Sequence, residues 1–238
     1  MSKVSDDVRG KLIAQLRDGM TLAVGGFGLC GIPSTLIEIV RESKVRDLTI
    51  VSNNLAIDGA GLGRLLEDGQ ISRVLASYIG ENKLFMKQYL EGHIEVEFVP
   101  QGTLAERMRA GGSGIAAFYT RTGVGTEIAE GKPTAEFDGE TYLLEKAIHA
   151  DIALVKSHMA DVEGNLRYRL AARNFNPVAA QCGAVTFAEA EHIVDRGELD
   201  PDDIHTPCVY IHHLTRSLIP SQIEQVVNRP RPDTTQEV

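Results

Sequence analysis

Glycines crowd one short stretch, Thr21 to Pro33 (TLAVGGFGLCGIP), where an apolar run of strand formers meets a proline that opens a helix. Glycine reaches positive φ without a Cβ penalty and lets the backbone come close to a ligand. A turn leading into a helix also points unpaired N–H groups outward, which suits an anion or an amide carbonyl. The chemistry implied is the holding of a phosphate-bearing or amide-bearing molecule. Gly26-Phe27-Gly28-Leu29-Cys30-Gly31 has the G-x-G-x-x-G spacing of a dinucleotide site. Such a site also needs an acid at the end of the next strand, to hold a ribose hydroxyl. That strand, Leu48 to Ser52, ends in Asn53-Asn54, with Asp47 before it and Asp58 well beyond. The acid is missing where a dinucleotide requires it. A different ligand, a dinucleotide and a tight turn holding nothing all stay open.

Other polar residues fall where strands are expected to end. Gln101 follows Val99-Pro100, at the carboxyl end of a strand, where α/β sheets gather their ligands. A side-chain amide there can donate to a developing alkoxide, an interaction worth about 2.7–4 kcal/mol; alternatively it only ties the loop down. Asn53 and Asn54 end a strand on the same side and could bond a substrate or simply form a turn. His205, His212 and His213 invite a metal reading. Adjacent histidines on a strand point to opposite faces, and no cysteine or carboxylate completes a recognised spacing, so no metal site is expected. Cys30, Cys182 and Cys208 are odd in number and far apart, which fits reduced thiols.

These residues need a frame to position them. The chain has 238 residues, 43% of them apolar, enough for one large α/β domain with a substantial core. A formal net charge of −9 argues against nucleic acid as a partner. No apolar run approaches a membrane span, and the opening MSKVSDDVRG has no hydrophobic signal core, so a cytoplasmic location is expected. Helices are predicted over Ser5–Arg17, Pro33–Arg41, Leu62–Glu67 and Lys83–Leu90. Strands are predicted over Thr21–Val24, Leu48–Ser52, Ile71–Ile79 and Ile94–Pro100. Thr103 then caps a helix, with Glu106 closing a capping box.

This alternation implies an open, mostly parallel doubly wound sheet with helices on both faces. Past residue 110 the rhythm changes, as Gly111-Gly112-Ser113-Gly114 opens a stretch short of helix. Asp138-Gly139 marks a hairpin between Thr134–Phe137 and Thr141–Leu144. A second hairpin is expected around Glu163-Gly164-Asn165, between Asp151–Ser157 and Leu166–Leu170. Val185–Phe187, His192–Val194 and Cys208–His212 add strand-like runs. Residues 1–218 therefore read as one α/β domain with added antiparallel hairpins, and 219–238 as a polar tail.

Several of these segments together carry a resemblance. Asp18 to Pro33 is similar to the first signature of family I coenzyme A transferases. Val51-Ser52-Asn53-Asn54, Tyr78-Ile79-Gly80-Glu81-Asn82, Val99 to Leu104 and Ala117 to Thr120 follow in the order that family shows, as do Thr122 to Thr126 and Ala172 to Pro177. The match runs roughly from residue 3 to 215 and resembles the A (alpha) subunits of the 3-oxoacid type, acting on succinyl-CoA or acetoacetate. The resemblance implies a two-part enzyme whose nucleophilic glutamate lies in a Ser-Glu-Asn-Gly motif of a separate B (beta) subunit. That motif is absent here: Gly80-Glu81-Asn82 is followed by Lys83, and Glu81 reads as a structural or rim residue.

The resemblance assigns coenzyme A contact to Val24, Gly25, Gly26, Phe27, Gly28, Leu29 and Cys30, and places Gln101 near the reacting acyl group. Gly112 and Gly114 would shape a loop near the substrate, and Ala116 departs from the proline often found there. Coenzyme A is implied as a substrate, with no tightly bound cofactor. A hetero-oligomer of A2B2 form with acyl-CoA and carboxylic acid substrates is implied as well. Two other functions remain: a CoA-thioester hydrolase or ring-opening enzyme of the same fold, and a non-catalytic dinucleotide-binding module.

Overall fold

The computed structural model describes residues 2–223; the tail expected over 219–238 lies outside the described residues from 224 on. Helix α1 (Val8–Gln15) starts where the Asp7 carboxylate accepts the Gly10 N–H at 2.8 Å, and it buries Val8 and Leu12. Next come β1 (Thr21–Val24), α2 (Ser34–Ser43), β2 (Leu48–Val51), α3 (Gly63–Glu67) and β3 (Ile71–Ala76). Helix α4 (Lys83–Leu90), β4 (Glu95–Phe98) and α5 (Gln101–Gly112) complete the alternation that the sequence predicts. The expected capping box is not formed. α5 begins directly after Pro100, whose φ of −51° already sets the entry, so Thr103 lies buried inside the first turn. Glu106 instead pairs with Arg109 at 2.6 Å. Gly111 and Gly112 close this helix rather than open a loop, because the carbonyls of Ile148 and Gln181 stand where their side chains would go.

The second half differs most from expectation. A small antiparallel sheet, ordered β5-β7-β6, is formed by β5 (Ala117–Thr120), β6 (Thr134–Phe137) and β7 (Glu140–Lys146). Asp138 and Gly139, at φ 51° and 77°, make the two-residue turn that sets Phe137 opposite Glu140. The remaining strands join the main sheet in parallel. They are β8 (Ala150–Asp161), β10 (Gly183–Val194) and β11 (His213–Arg216), with β9 (Leu166–Arg167) folded back antiparallel on β8. The hairpin around Gly164 therefore joins Met159–Ala160 to Leu166–Arg167 and uses only the end of β8. The two runs expected at 185–187 and 192–194 are one 12-residue strand. Helix α6 (Asn176–Cys182), which supplies the crossover between β8 and β10, has no counterpart in the sequence reading.

The main sheet is ordered β11-β10-β8-β1-β2-β3-β4. Side chains alternate across it: Leu22 and Val24 enter one apolar core with α1 to α4, and Ala23 enters the other with α5 and α6. The chain starts at the middle strand β1, grows outward to β4, and returns to the other side of β1 as β8. That reversal leaves a crevice beyond the carboxyl ends of the strands, the place where such sheets bind ligands. Among the described residues, no helix is long and apolar enough to cross a membrane.

Candidate functional site

The glycine-rich turn leaves β1 at this crevice and is held rigidly by the protein itself. Gly25 donates its N–H to the Leu154 carbonyl at 2.9 Å, Phe27 and Cys30 exchange N–H···O bonds at 3.0 Å, and Gly28 donates to Asn54 Oδ1 at 3.1 Å. Four donors that the sequence suggests for a ligand are thus engaged internally. Asn174 Nδ2 donates to the Cys30 carbonyl and Asn176 Nδ2 to that of Gly31, both at 2.9 Å, while Asn176 Oδ1 accepts the Lys156 N–H at 2.9 Å. The Arg173–Pro177 motif therefore clamps the turn. Val24 and Leu29 are buried in the core, whereas Phe27 is 47% exposed. Only Phe27 of these three offers its side chain to a ligand.

The clamp leaves no room at Gly31. Its φ is +72°, and an added Cβ would lie 2.6 Å from the Ala172 carbonyl oxygen. Gly31→Ala is expected to destabilise the chain by about 2–4 kcal/mol, adding backbone strain to overpacking. A urea unfolding midpoint, compared with that of a Gly59→Ala control where nothing lies within 4 Å, checks it.

The N-terminus of α2, expected to face a ligand anion, faces a carboxylate of the protein instead. Glu189 Oε2 accepts the Leu36 N–H at 3.0 Å, and Oε1 accepts from Ser217 Oγ at 2.7 Å and lies 3.5 Å from Lys156 Nζ. Burial pushes the Glu189 carboxyl above its ordinary range, opposed by Lys156, Ser217 and the α2 N–H groups.

A cleft of about 430 Å³ lies on the other side of Phe27, lined by Asn53, Asn54, Ser77, Tyr78, Glu81 and Gln101. The sequence-predicted Phe27, Asn53, Asn54 and Gln101 meet here. Gln101 Nε2 donates to Asn53 Oδ1 at 3.0 Å, and Ser77 Oγ donates to the same oxygen at 2.7 Å. Asn53 is buried, and its Nδ2 has no hydrogen-bond partner. A buried donor left unpaired is costly. Asn54 also lines the cleft, yet its Oδ1 serves the Gly28 and Ala56 N–H groups at 3.1 Å each. Glu81 is exposed, and among the described residues no other carboxylate lines this cleft. A neighbouring hollow of about 380 Å³ shares Phe27 and Gln101 and continues toward Asn174 and Phe175.

Cys30 faces away from this cleft, into a cavity of about 370 Å³ with Gly31, Lys156, His158 and Glu191. The sequence reading does not single out Ser77, Lys156 or His158. Ser77 directly follows β3, so the strand-end rule that picks Gln101 applies to it too; Lys156 and His158 lie within β8, where that rule gives no signal. His205 Nδ1 accepts the Tyr168 N–H at 2.9 Å and His212 Nδ1 the Thr186 N–H at 3.0 Å. Burial holds His205, His212 and His213 below the usual imidazole range. Burial likewise pushes the Cys182 thiol up to about 12, which leaves it inert. Ser52, whose Oγ donates to the Val24 carbonyl at 3.0 Å, closes the strand end where a dinucleotide would need an acid.

Residues 10–217 match the model of the family described as coenzyme A transferase. The A subunit of the probable succinyl-CoA:3-ketoacid coenzyme A transferase of Bacillus subtilis is 60% identical over 199 residues, 84% of either chain. The A subunit of the succinyl-CoA:3-ketoacid coenzyme A transferase of Xanthomonas campestris is 54% identical, over 92% of this chain and 91% of its own. Among solved structures, the thioester complex of the Escherichia coli acyl-CoA transferase YdiF superposes with a TM-score of 0.78 at 21% identity. The superposition covers 96% of this chain but 49% of that one, so the present chain spans about half of YdiF.

Proposed function

We propose, for a chain that belongs to the coenzyme A transferase family, the work of the A subunit in a two-part active site. The chain is the A subunit of a CoA-transferase of the succinyl-CoA:3-ketoacid type, and the reading as a dinucleotide module falls away. In the proposed reaction a partner B subunit supplies the attacking glutamate, and CoA passes between succinyl-CoA and a 3-oxo acid such as acetoacetate. The glutamate carboxylate adds to the thioester carbonyl, and the departing CoA thiolate leaves a mixed anhydride. The thiolate then attacks the enzyme's acyl carbon, releases the first acid and forms an enzyme–CoA thioester. The second acid reverses these steps, which makes the kinetics ping-pong.

The observation that carries this reading is the cleft at Gln101. It offers amide and hydroxyl groups from Gln101, Asn53 and Ser77, while its one carboxylate, Glu81, stands exposed. A cleft so built can stabilise a developing alkoxide, with Gln101 as the donor, but it lacks a sheltered nucleophile. Asn53 and Asn54 belong to the substrate-binding wall. The turn from Val24 through Gly25, Gly26, Phe27, Gly28 and Leu29 to Cys30 meets the carrier arm of CoA, chiefly through Phe27 and backbone atoms. Such remote contact can lower the chemical barrier. CoA enters as substrate with no resident cofactor, the assembly is A2B2, and the setting is cytoplasmic.

The runner-up, a hydrolase or ring-opening enzyme on a CoA thioester, is separated by acceptor dependence. With its B subunit, this chain is expected to convert succinyl-CoA to acetoacetyl-CoA only when acetoacetate is present. The absorbance of the acetoacetyl-CoA enolate and a thiol assay for free CoA follow the two outcomes. Release of CoA without an acceptor, at the rate seen with one, would establish the hydrolase.

A further inference from the structure

Among the described residues, the cavity behind the glycine turn shares no lining residue with the Gln101 cleft or its neighbouring hollow, and of the residues proposed to meet CoA only Cys30 lines it. Two of its lining residues, His158 and Glu191, form a second cluster together with the exposed His192. In the pairing of β8 with β10, Ser157 stands beside Ala190 and Met159 beside His192, which places His158 next to Glu191. His158 Nδ1 lies 2.9 Å from Glu191 Oε2. The His158 and His192 rings meet edge to face, with centroids 5.1 Å apart and planes at 87°. One ligand atom from each of His158, Glu191 and His192 lies within 4.8 Å of the other two.

An ion pair would require His158 and Glu191 alone. The third member is what asks for another explanation. Neighbours on a strand ordinarily point to opposite faces, yet one His192 ring nitrogen lies within 4.8 Å of a Glu191 carboxylate oxygen. Two imidazole nitrogens and a carboxylate oxygen are the donors that borderline divalent cations accept. Glu191 is also oriented from behind. Its Oε1 takes a hydrogen bond from Ser221 Oγ and lies 3.8 Å from Lys156 Nζ, which leaves Oε2 to His158. Outer contacts of this kind fix a ligating carboxylate. Lys156 is itself held by Glu189 at 3.5 Å, so its charge is shared between two acids. Bonds of about 2.0–2.2 Å to zinc require the three atoms to draw closer together, and exposed His192 has the freedom to close.

We propose that His158, Glu191 and His192 form a binding site for one divalent cation of the zinc class. The ion would tie the ends of β8 and β10 to the segment carrying Ser221. It would brace the wall behind the glycine turn without touching the reacting groups. The proposal stands on this chain alone and does not depend on which acids exchange CoA.

Calorimetric titration of Zn2+ into the metal-free full-length chain tests it, with thermal melting alongside. One Zn2+ should bind per chain and raise the melting temperature. In His192→Ala the affinity should fall at least about tenfold, and in His158→Ala/His192→Ala both binding and the thermal shift should vanish. His192 is exposed, so the single variant is expected to keep the parent circular dichroism spectrum and remains decisive should the double variant misfold. Absence of binding in the parent overturns the proposal. So does a parent-like affinity in His192→Ala, which would put the ion elsewhere.

Discussion

Alone, the chain is expected to transfer CoA at a rate on the order of 10⁴-fold or more below that of the complex with its B subunit. Loss of a covalent nucleophile removes the step that divides the exchange, and what remains is only positioning and polarisation. The cleft in this chain has those two features and no third. Its polar side chains are the amides of Asn53, Asn54 and Gln101 and the hydroxyls of Ser77 and Tyr78, and among the described residues its one acid, Glu81, is exposed to water. A glutamate there is well solvated and competes poorly for a thioester carbonyl. Mixing with the B subunit should restore activity in proportion to complex formed. Adding succinyl-CoA to the complex and then borohydride should reduce the enzyme–CoA thioester to an alcohol, and peptide mass spectrometry should find the change on the B subunit. Reduction at Glu81, or full turnover by the isolated chain, would return the nucleophile to this polypeptide and undo the split-site reading.

The same cleft shows what a linear chain discloses. Gln101 and Asn53 each lie just beyond the carboxyl end of a strand, and a parallel sheet brings all its carboxyl ends to one edge. Their meeting at 3.0 Å follows from two local readings and one topological rule. The first half of the sheet is legible for a similar reason: its strands are short segments that are apolar or alternate apolar with polar residues, each followed by a helix that buries apolar side chains. β10 is not. Glu189 and Glu191 stand in its middle and read as a break, yet Glu189 is fully buried. Its partners are Lys156, Ser217 and the amide of Leu36, the last 153 positions away. Nothing local announces such a pairing.

α6 is hidden for the opposite reason. Ala179 and Ala180 are fully covered between the sheet and α5, so the segment needs no polar face and shows no helical period. The glycine turn is plain in the sequence, but its purpose is only half legible there. Its N–H groups look free in sequence and are engaged in space, by Asn54 and by strand and turn carbonyls.

Replacing Gln101 with alanine in the assembled enzyme is expected to lower kcat about 10²–10³-fold, with little change in KM. Gln101 Nε2 carries two hydrogens, and one of them is committed to Asn53 Oδ1 at 3.0 Å. Ser77 fixes that oxygen from the other side at 2.7 Å, so the amide plane is set before substrate arrives. The second hydrogen then points its dipole without reorganising when the alkoxide forms, which is the source of such a donor's effect. A residue that only tied the loop would behave otherwise. Its loss would cost about 1 kcal/mol of stability and leave the chemical step alone. Steady-state kinetics and a urea melt on the same preparation separate the two roles. A stability loss with kcat intact, or a rise in KM as the main effect, would remove Gln101 from the transition state. Ser77→Ala sharpens the comparison, since it loosens Asn53 without deleting the donor. Its kcat should fall by less than that of Gln101→Ala, by the amount that a slackened amide loses in aim.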